Sequence, residues 1–249
     1  MIHNFILIGN PFFDAYLQSD LLGKLIFIGL VSLSIISWII LIHKLLVFQE
    51  AKKNSRQFWD AFQIQRLNPL GLETSKKKSP FEELYLLLKR YTLEILNKNA
   101  KFGQKNQESK NHEIKGRESA SLSGADLDFV QAQLLTGVSN QAKSLEKNLF
   151  ILSTIVTLAP FMGLLGTVWG ILTTFSEMQN MSGGMGHSSV LSGLSLALAT
   201  TVLGLLDAIP ALIGYNYLKN TLRDFETDMH SYSNEMLASI ELQYRKVDI

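Results

Sequence analysis

The chain has 249 residues, 47% hydrophobic and 18% charged, with a formal net charge of +1. Cysteine is absent, which excludes disulfides, thiolate metal sites and a lipid-modified N-terminal cysteine. The net charge says little, but the charged residues gather away from three long apolar runs, and no ordinary soluble domain carries three such runs.

The first run, 25–42, is uncharged and lies between Lys24 and His43-Lys44. No basic leader precedes the apolar residues at 5–9, and no small-residue cleavage pattern follows 42, so the run is expected to stay as an anchor. We read 1–20 as an outer N-terminal segment and 21–46 as the first transmembrane helix.

Residues 47–148 read as a helical cytoplasmic region. Phe48, Ala51, Phe58, Trp59 and Phe62 recur at helical spacing. Ser79-Pro80-Phe81-Glu82 has the form of a capping box with proline at the first helical position, opening a segment whose Phe81, Leu84, Tyr85, Leu88, Tyr91 and Ile95 share a face. Residues 97–125 are rich in Lys, Asn, Gln, Ser and Gly, a composition that suits a mobile loop. The apolar series resumes at Leu127, Val130, Leu134, Val138, Leu145 and Leu149 with no helix breaker, so the second spanning helix is expected to begin well inside this region.

The second run, 149–175, would reach about 40 Å as a helix, more than the ~30 Å of a bilayer's hydrocarbon core. An outer loop at 176–189 follows. The third run, 190–217, carries one charge, Asp207, and leads into a helical cytoplasmic tail at 218–249. Of the 23 Lys and Arg residues, 18 fall between 43 and 148, four after 217, one before the first run and none in 176–189. This bias places the N-terminus and the Gly183-Gly184-Met185-Gly186 loop outside, and the middle segment and C-terminus in the cytoplasm.

Small residues recur three or four apart in both later spans: Ala159, Gly163, Thr167, Gly170 and Thr174, with Gly166 alongside, then Gly193, Ala197, Thr201, Gly204, Ala208 and Ala211. Such stripes let helix backbones approach closely in lipid, and they are expected to hold a ring of subunits together. They also offer a polar path lined by the Thr167 and Thr201 hydroxyls. A threonine can instead bond a carbonyl of its own helix, so spacing leaves both readings open. Pro160 and Pro210 each remove a backbone donor and should bend their helices, as fixed kinks or as hinges.

The three-span layout resembles the TolQ/ExbB proteins, relatives of the flagellar stator subunit MotA. The text that carries the resemblance is Ser37-Trp38 in the first span, Gly163-Leu164-Leu165-Gly166-Thr167-Val168-Trp169-Gly170-Ile171 in the second, and Gly204-Leu205-Leu206-Asp207-Ala208-Ile209-Pro210-Ala211 with Tyr215-Asn216 in the third. The short N-terminal segment and the tail through Phe225, Glu226 and Met236-Leu237 are more similar to the TolQ branch. The resemblance implies an all-α membrane protein of the bacterial inner membrane, assembled as a ring, a pentamer by that resemblance, around a TolR/ExbD-like single-span dimer. Proton flow would drive motion that reaches a TolA/TonB-like protein, serving envelope integrity and division, or outer-membrane uptake in an ExbB-like role. It also implies that the proton-carrying aspartate belongs to the partner and that Thr167 and Thr201 face it. Many relatives carry a glutamate where this chain has Leu196 and a small residue where it has Asp207. Asp207 is therefore either a hydrated or paired residue near the inner interface or a relocated acidic site, and the loss at 196 leaves a non-conducting scaffold as a competing reading.

Other chemistry finds little support. There is no G-x-x-x-x-G-K-[ST] loop, and no enzyme activity or cofactor is expected. His3, His43, His112, His187 and His230 are dispersed, without metal-ligand spacing. Lys76-Lys77-Lys78 reads as a solvated run or a contact with anionic membrane lipid rather than a nucleic-acid site.

Overall fold

A computed structural model describes residues 16–17, 19–66, 68–72, 79–108, 121–180 and 187–245. These form five α-helices: α1 (Leu21–Ile64), α2 (Pro80–Glu108), α3 (Gly124–Glu146), α4 (Leu149–Asn180) and α5 (His187–Tyr244). No strand occurs among the described residues; Leu122 and Arg245 make an isolated parallel bridge. The protein is an all-α membrane protein, with three helices long and apolar enough to cross a bilayer: α1, α4 and α5.

The chain divides into two compact units, 1–45 with 148–219 and 46–147 with 220–249, and α1 and α5 contribute to both. The first unit holds the apolar runs. Asp20 starts α1 by accepting the Gly23 N–H on Oδ1 at 2.9 Å, and its Oδ2 accepts the Trp169 indole N–H at 2.8 Å. A small core of Ile26, Leu30, Ala159 and Ala208 joins the three spans, flanked by Met162, Trp169 and Leu203. Only 22% of the most apolar window of α1 is buried, and 33% and 41% of those of α4 and α5, so most of this apolar surface needs lipid or further protein to cover it.

In the second unit α2 and α3 lie antiparallel, with Gly137 of α3 against Leu84 and Leu87 of α2. Ser79 opens α2 by accepting the Glu82 N–H at 3.2 Å, with Pro80 as its first residue. Ser123 and Asp126 form a complete capping box at the start of α3, a pairing that the apolar periodicity does not reveal. Phe58 and Phe62 of α1, Phe81 and Tyr85 of α2, and Phe225 and Tyr232 of α5 interlock as the aromatic core. The Tyr85 hydroxyl accepts the Leu72 N–H at 3.1 Å.

Three boundaries differ from the sequence reading. The helix expected to run unbroken from Leu127 into the membrane ends at Glu146, because Asn148 takes a left-handed φ of 71° and α4 restarts at Leu149. Asn is among the few residues other than Gly that adopt this conformation readily. α2 continues to Glu108, through the first part of the segment read as a loop; the remainder of that segment up to 120 lies outside the described residues. α4 runs on to Asn180 and α5 begins at His187, so helix occupies both ends of 176–189. Residues 1–15, Lys76-Lys77-Lys78, His112 and Gly183-Gly184-Met185-Gly186 lie outside the described residues.

Candidate functional site

The small residues of the later spans meet each other within one chain. A Cβ placed on Gly163 would stand 3.0 Å from the Thr200 carbonyl oxygen and 3.1 Å from the Thr201 Cα. One on Gly204 would stand 2.6 Å from the Ala159 carbonyl oxygen and 3.2 Å from the Gly163 Cα. Further along, Gly170 lies against Ala197 and the Gly193 carbonyl, each 3.0 Å from such a Cβ, while Gly166 abuts Thr200 and Gly193 abuts Thr174. Pairing falls from 163/204 to 170/197 as one number rises, so α4 and α5 are antiparallel, with backbones in contact where side chains are absent.

This corrects the expectation that the stripes join subunits. Gly163, Gly166, Gly170, Gly193, Ala197 and Gly204 are already occupied between α4 and α5 of the same chain. The faces left bare are those of Leu164, Leu165, Val168 and Leu172 on α4 and of Leu198, Leu205, Leu206 and Ile209 on α5.

The structure brings the two predicted threonines close to one carbonyl. The Thr201 hydroxyl crosses the helix contact and donates to the Gly163 carbonyl at 3.1 Å. In an α-helix that carbonyl also takes the N–H of Thr167, four residues on. The Thr167 hydroxyl donates to Leu164 C=O in its own helix at 2.6 Å. Sequence reasoning missed Thr200, which is fully buried and donates to Ala197 C=O at 2.9 Å while reaching towards Gly163 C=O at 3.5 Å. With their protons committed to backbone carbonyls, Thr167 and Thr201 offer lone pairs rather than donors to anything approaching them.

Asp207 lies on another part of α5. Six residues separate it from Thr201, about 120° round the helix. It is 5% exposed, and neither carboxylate oxygen has a hydrogen-bond partner. The polar group that bears on it is the Ser34 hydroxyl of α1, outside hydrogen-bonding geometry. Leu41 of α1 meets Gly214 of α5 with the same numerical offset, so these two helices run parallel and Asp207 faces α1. Among the described residues Asp207 makes no hydrogen bond or ion pair, Lys219 included. The Leu196 side chain lies outside the described residues. Pro160 and Pro210 lie within continuous α4 and α5. No group of three His, Cys, Asp or Glu side chains converges among the described residues.

Comparison with known proteins bears on what this geometry serves. Residues 99–231 match the model of the MotA/TolQ/ExbB proton channel family. The chain is 27% identical to the Tol-Pal system protein TolQ of Haemophilus influenzae over 237 residues, 93% of this chain and 94% of the relative. It is 25% identical to TolQ of Pseudomonas aeruginosa over 207 residues, 80% of this chain and 79% of that relative. A shorter match, 55% identical over 74 residues, links it to the biopolymer transport protein ExbB of Helicobacter pylori, covering 30% of this chain and 50% of that protein. With more than half of its length matched by the family model, the chain belongs to the MotA/TolQ/ExbB proton channel family.

Proposed function

We propose that the protein is the ring-forming subunit of a proton-motive-force-driven motor in the bacterial inner membrane, acting as TolQ does in a Tol-Pal system. Its N-terminus would lie outside and its C-terminus in the cytoplasm. The observation that carries the reading is the Thr201 hydroxyl seated on Gly163 C=O, one turn before Thr167, in a helix pair built on bare backbone contact. In this proposal a ring of copies, five by the resemblance, encloses a TolR-like single-span dimer and moves a TolA-like partner.

The chemistry follows from hydrogen-bond inventory. A carboxylate carrying a proton through lipid is cheaper to hold when neutral, and the neutral acid donates one hydrogen bond. Thr167 and Thr201, offering acceptor oxygens, would hold the protonated form of the partner's acid. Each 100 mV of membrane potential supplies about 2.3 kcal/mol per proton, enough to bias a step. Asp207, facing α1, would be a second acidic site inside the subunit, separate from the threonine path. Pro160 and Pro210 would set the bend of the two helices beside it.

The test is gradient-driven proton flux in vesicles holding the ring and its single-span partner. The parent complex should conduct, and the Thr167→Val/Thr201→Val variant should assemble but conduct poorly. Unchanged flux would remove the threonine path; no flux in the intact parent complex would leave a scaffold.

The 55% identity with an ExbB over 74 residues favours a second reading, an energiser of TonB-dependent uptake. Site-directed crosslinking in cells separates the two: capture of a TolA-like protein supports the first, capture of a TonB-like protein the second.

A further inference from the structure

Thr200 is fully buried within the chain, whereas its neighbour Thr201 is only half-buried, so an approaching side chain meets Thr201 alone. Gly166 makes the room that Thr200 fills. A Cβ on that glycine would stand 2.6 Å from the Thr200 Cβ and closer still to its hydroxyl oxygen. Held there, the Thr200 hydroxyl has two acceptors in reach, Ala197 C=O at 2.9 Å and Gly163 C=O at 3.5 Å. Thr201 donates to the same Gly163 carbonyl at 3.1 Å, so two hydroxyls bear on one acceptor.

Both carbonyls already have a backbone donor four residues on, Thr167 N–H for Gly163 and Thr201 N–H for Ala197. A carbonyl oxygen has two lone pairs, which leaves each of them one place for a hydroxyl. In the observed arrangement Thr200 takes the place on Ala197 and Thr201 the place on Gly163. Turning both O–H bonds gives a second arrangement. Thr200 then donates to Gly163 C=O, Ala197 C=O keeps its backbone donor, and the Thr201 proton is free to point outward. Each hydroxyl keeps its own proton, and no covalent bond changes.

The two arrangements suit two states of a carboxyl group. A neutral carboxylic acid donates a hydrogen bond, and an ionised one only accepts. The observed arrangement offers a Thr201 lone pair to the acid; the turned one offers a proton to the carboxylate. Without Thr200 the turn would strip Gly163 C=O of its second bond inside a packed contact. No side chain titrates between Leu25 and Ile42 of α1, between Ala159 and Phe175 of α4 or between Gly193 and Leu206 of α5, and Asp207 faces α1.

We propose that Thr200 is a positioning residue that switches Thr201 between acceptor and donor, so that one threonine holds the partner's acid both before and after it gives up its proton. The switch rests on the threonine path proposed above.

The test uses the ring reconstituted in vesicles with its single-span partner. Carbodiimide labelling of the partner's membrane acid, which modifies the protonated form, is followed against pH by mass spectrometry alongside gradient-driven flux. Thr200→Val keeps the branched shape beside Gly166 and removes the hydroxyl, and Thr200→Ala removes it with no demand on space. Loss of the donor arrangement disfavours the carboxylate, so in both variants the labelling midpoint should rise by about one pH unit and flux should fall about tenfold, with assembly and thermal unfolding little changed. Thr200→Ser should restore both. In the Thr201→Val background, adding Thr200→Val should alter neither, because no outward hydroxyl is left to turn. A parental midpoint in Thr200→Val and Thr200→Ala, or a shift that persists undiminished in the Thr201→Val background, would overturn the switch and leave Thr200 a packing residue with the path still standing. A midpoint and flux indifferent to Thr167→Val/Thr201→Val would instead remove the path itself, and the switch with it.

Discussion

Thr201 reaches across the antiparallel contact of α4 and α5 and puts its hydroxyl proton on the backbone carbonyl of Gly163, 3.1 Å away. The approach is possible because Gly163 has no side chain: a Cβ there would stand 3.1 Å from the Thr201 Cα itself. One glycine thus makes room for the threonine and supplies the acceptor that fixes its rotamer.

Replacing Thr201 by Val keeps the shape and removes the bond. Interhelical hydrogen bonds in membranes contribute about 0.6 kcal/mol on average, so thermal unfolding of the assembly should barely change. Proton flux with the partner should fall about tenfold, the worth of one hydrogen bond to the carrier, and Thr201→Ser should restore most of it. A large stability loss with flux per assembled complex intact would assign Thr201 to packing alone.

The glycines should rank by what a methyl would meet. Gly204→Ala places it 2.6 Å from the Ala159 carbonyl oxygen, so the helices must part, at a cost of about 1–3 kcal/mol. Gly170→Ala, with its closest contacts at 3.0 Å, should cost less. Gly124→Ala, where nothing lies within 4 Å, should be neutral or stabilise by about 0.4–1 kcal/mol through the unfolded chain. Denaturation midpoints of the three variants check the order.

Asp207 should separate stability from activity. Removing a buried carboxylate that has no hydrogen bond relieves an unmet polar group, so Asp207→Ala should leave the assembly as stable as the parent or raise it by about 1–3 kcal/mol. If the carboxylate serves the motor, flux should drop in both Asp207→Ala and Asp207→Asn. Destabilisation by Asp207→Asn, with normal flux in what assembles, would make it a structural residue.

Acid should loosen the start of α3. Desolvation alone would raise the Asp126 carboxyl, but the Ser123 N–H and hydroxyl, the Asn99 amide and nearby Lys98 hold it below the usual carboxylate range. A lowered value means that its stabilisation is fully present above the unfolded value of about 3.9 and is lost as pH falls through the folded one. Amide exchange at 123–127 should therefore quicken in that window for the parent protein. Asp126→Asn should exchange at a rate that does not change across the same window once intrinsic rates are divided out.

The three spans were legible because 18 or more residues in a row with at most one charge have few alternatives, and the small stripes because glycine and alanine three or four apart leave one bare face. Which threonine fills the stripe was not legible. From Ala197 to Gly204 the chain can step through Thr200 or through Thr201 with equal regularity, and the structure buries the first while tilting the second onto Gly163. The break at Asn148 gave no glycine or proline to warn of it. Helix α2 outran its apolar face because Lys, Gln and Glu keep good helix propensity without burial. The bond from Trp169 to Asp20 joins positions 149 residues apart, beyond the reach of any local pattern.

The threonine bonds also bear on how the chain enters the bilayer during synthesis. Thr154, Thr157, Thr167, Thr173 and Thr174 each donate to a carbonyl three or four residues back in α4. Their hydroxyls are therefore satisfied as soon as that helix forms, so α4 can leave the translocon without a partner. Helix α5 cannot do so as cheaply, because an aspartate at a helix centre raises the insertion free energy by about 2.5–3.5 kcal/mol. By then α1, made first, already stands in the membrane with Ser34 on its face towards Asp207, and the packed protein leaves that carboxylate only 5% exposed, so the last span is the one expected to gain most from inserting against the first.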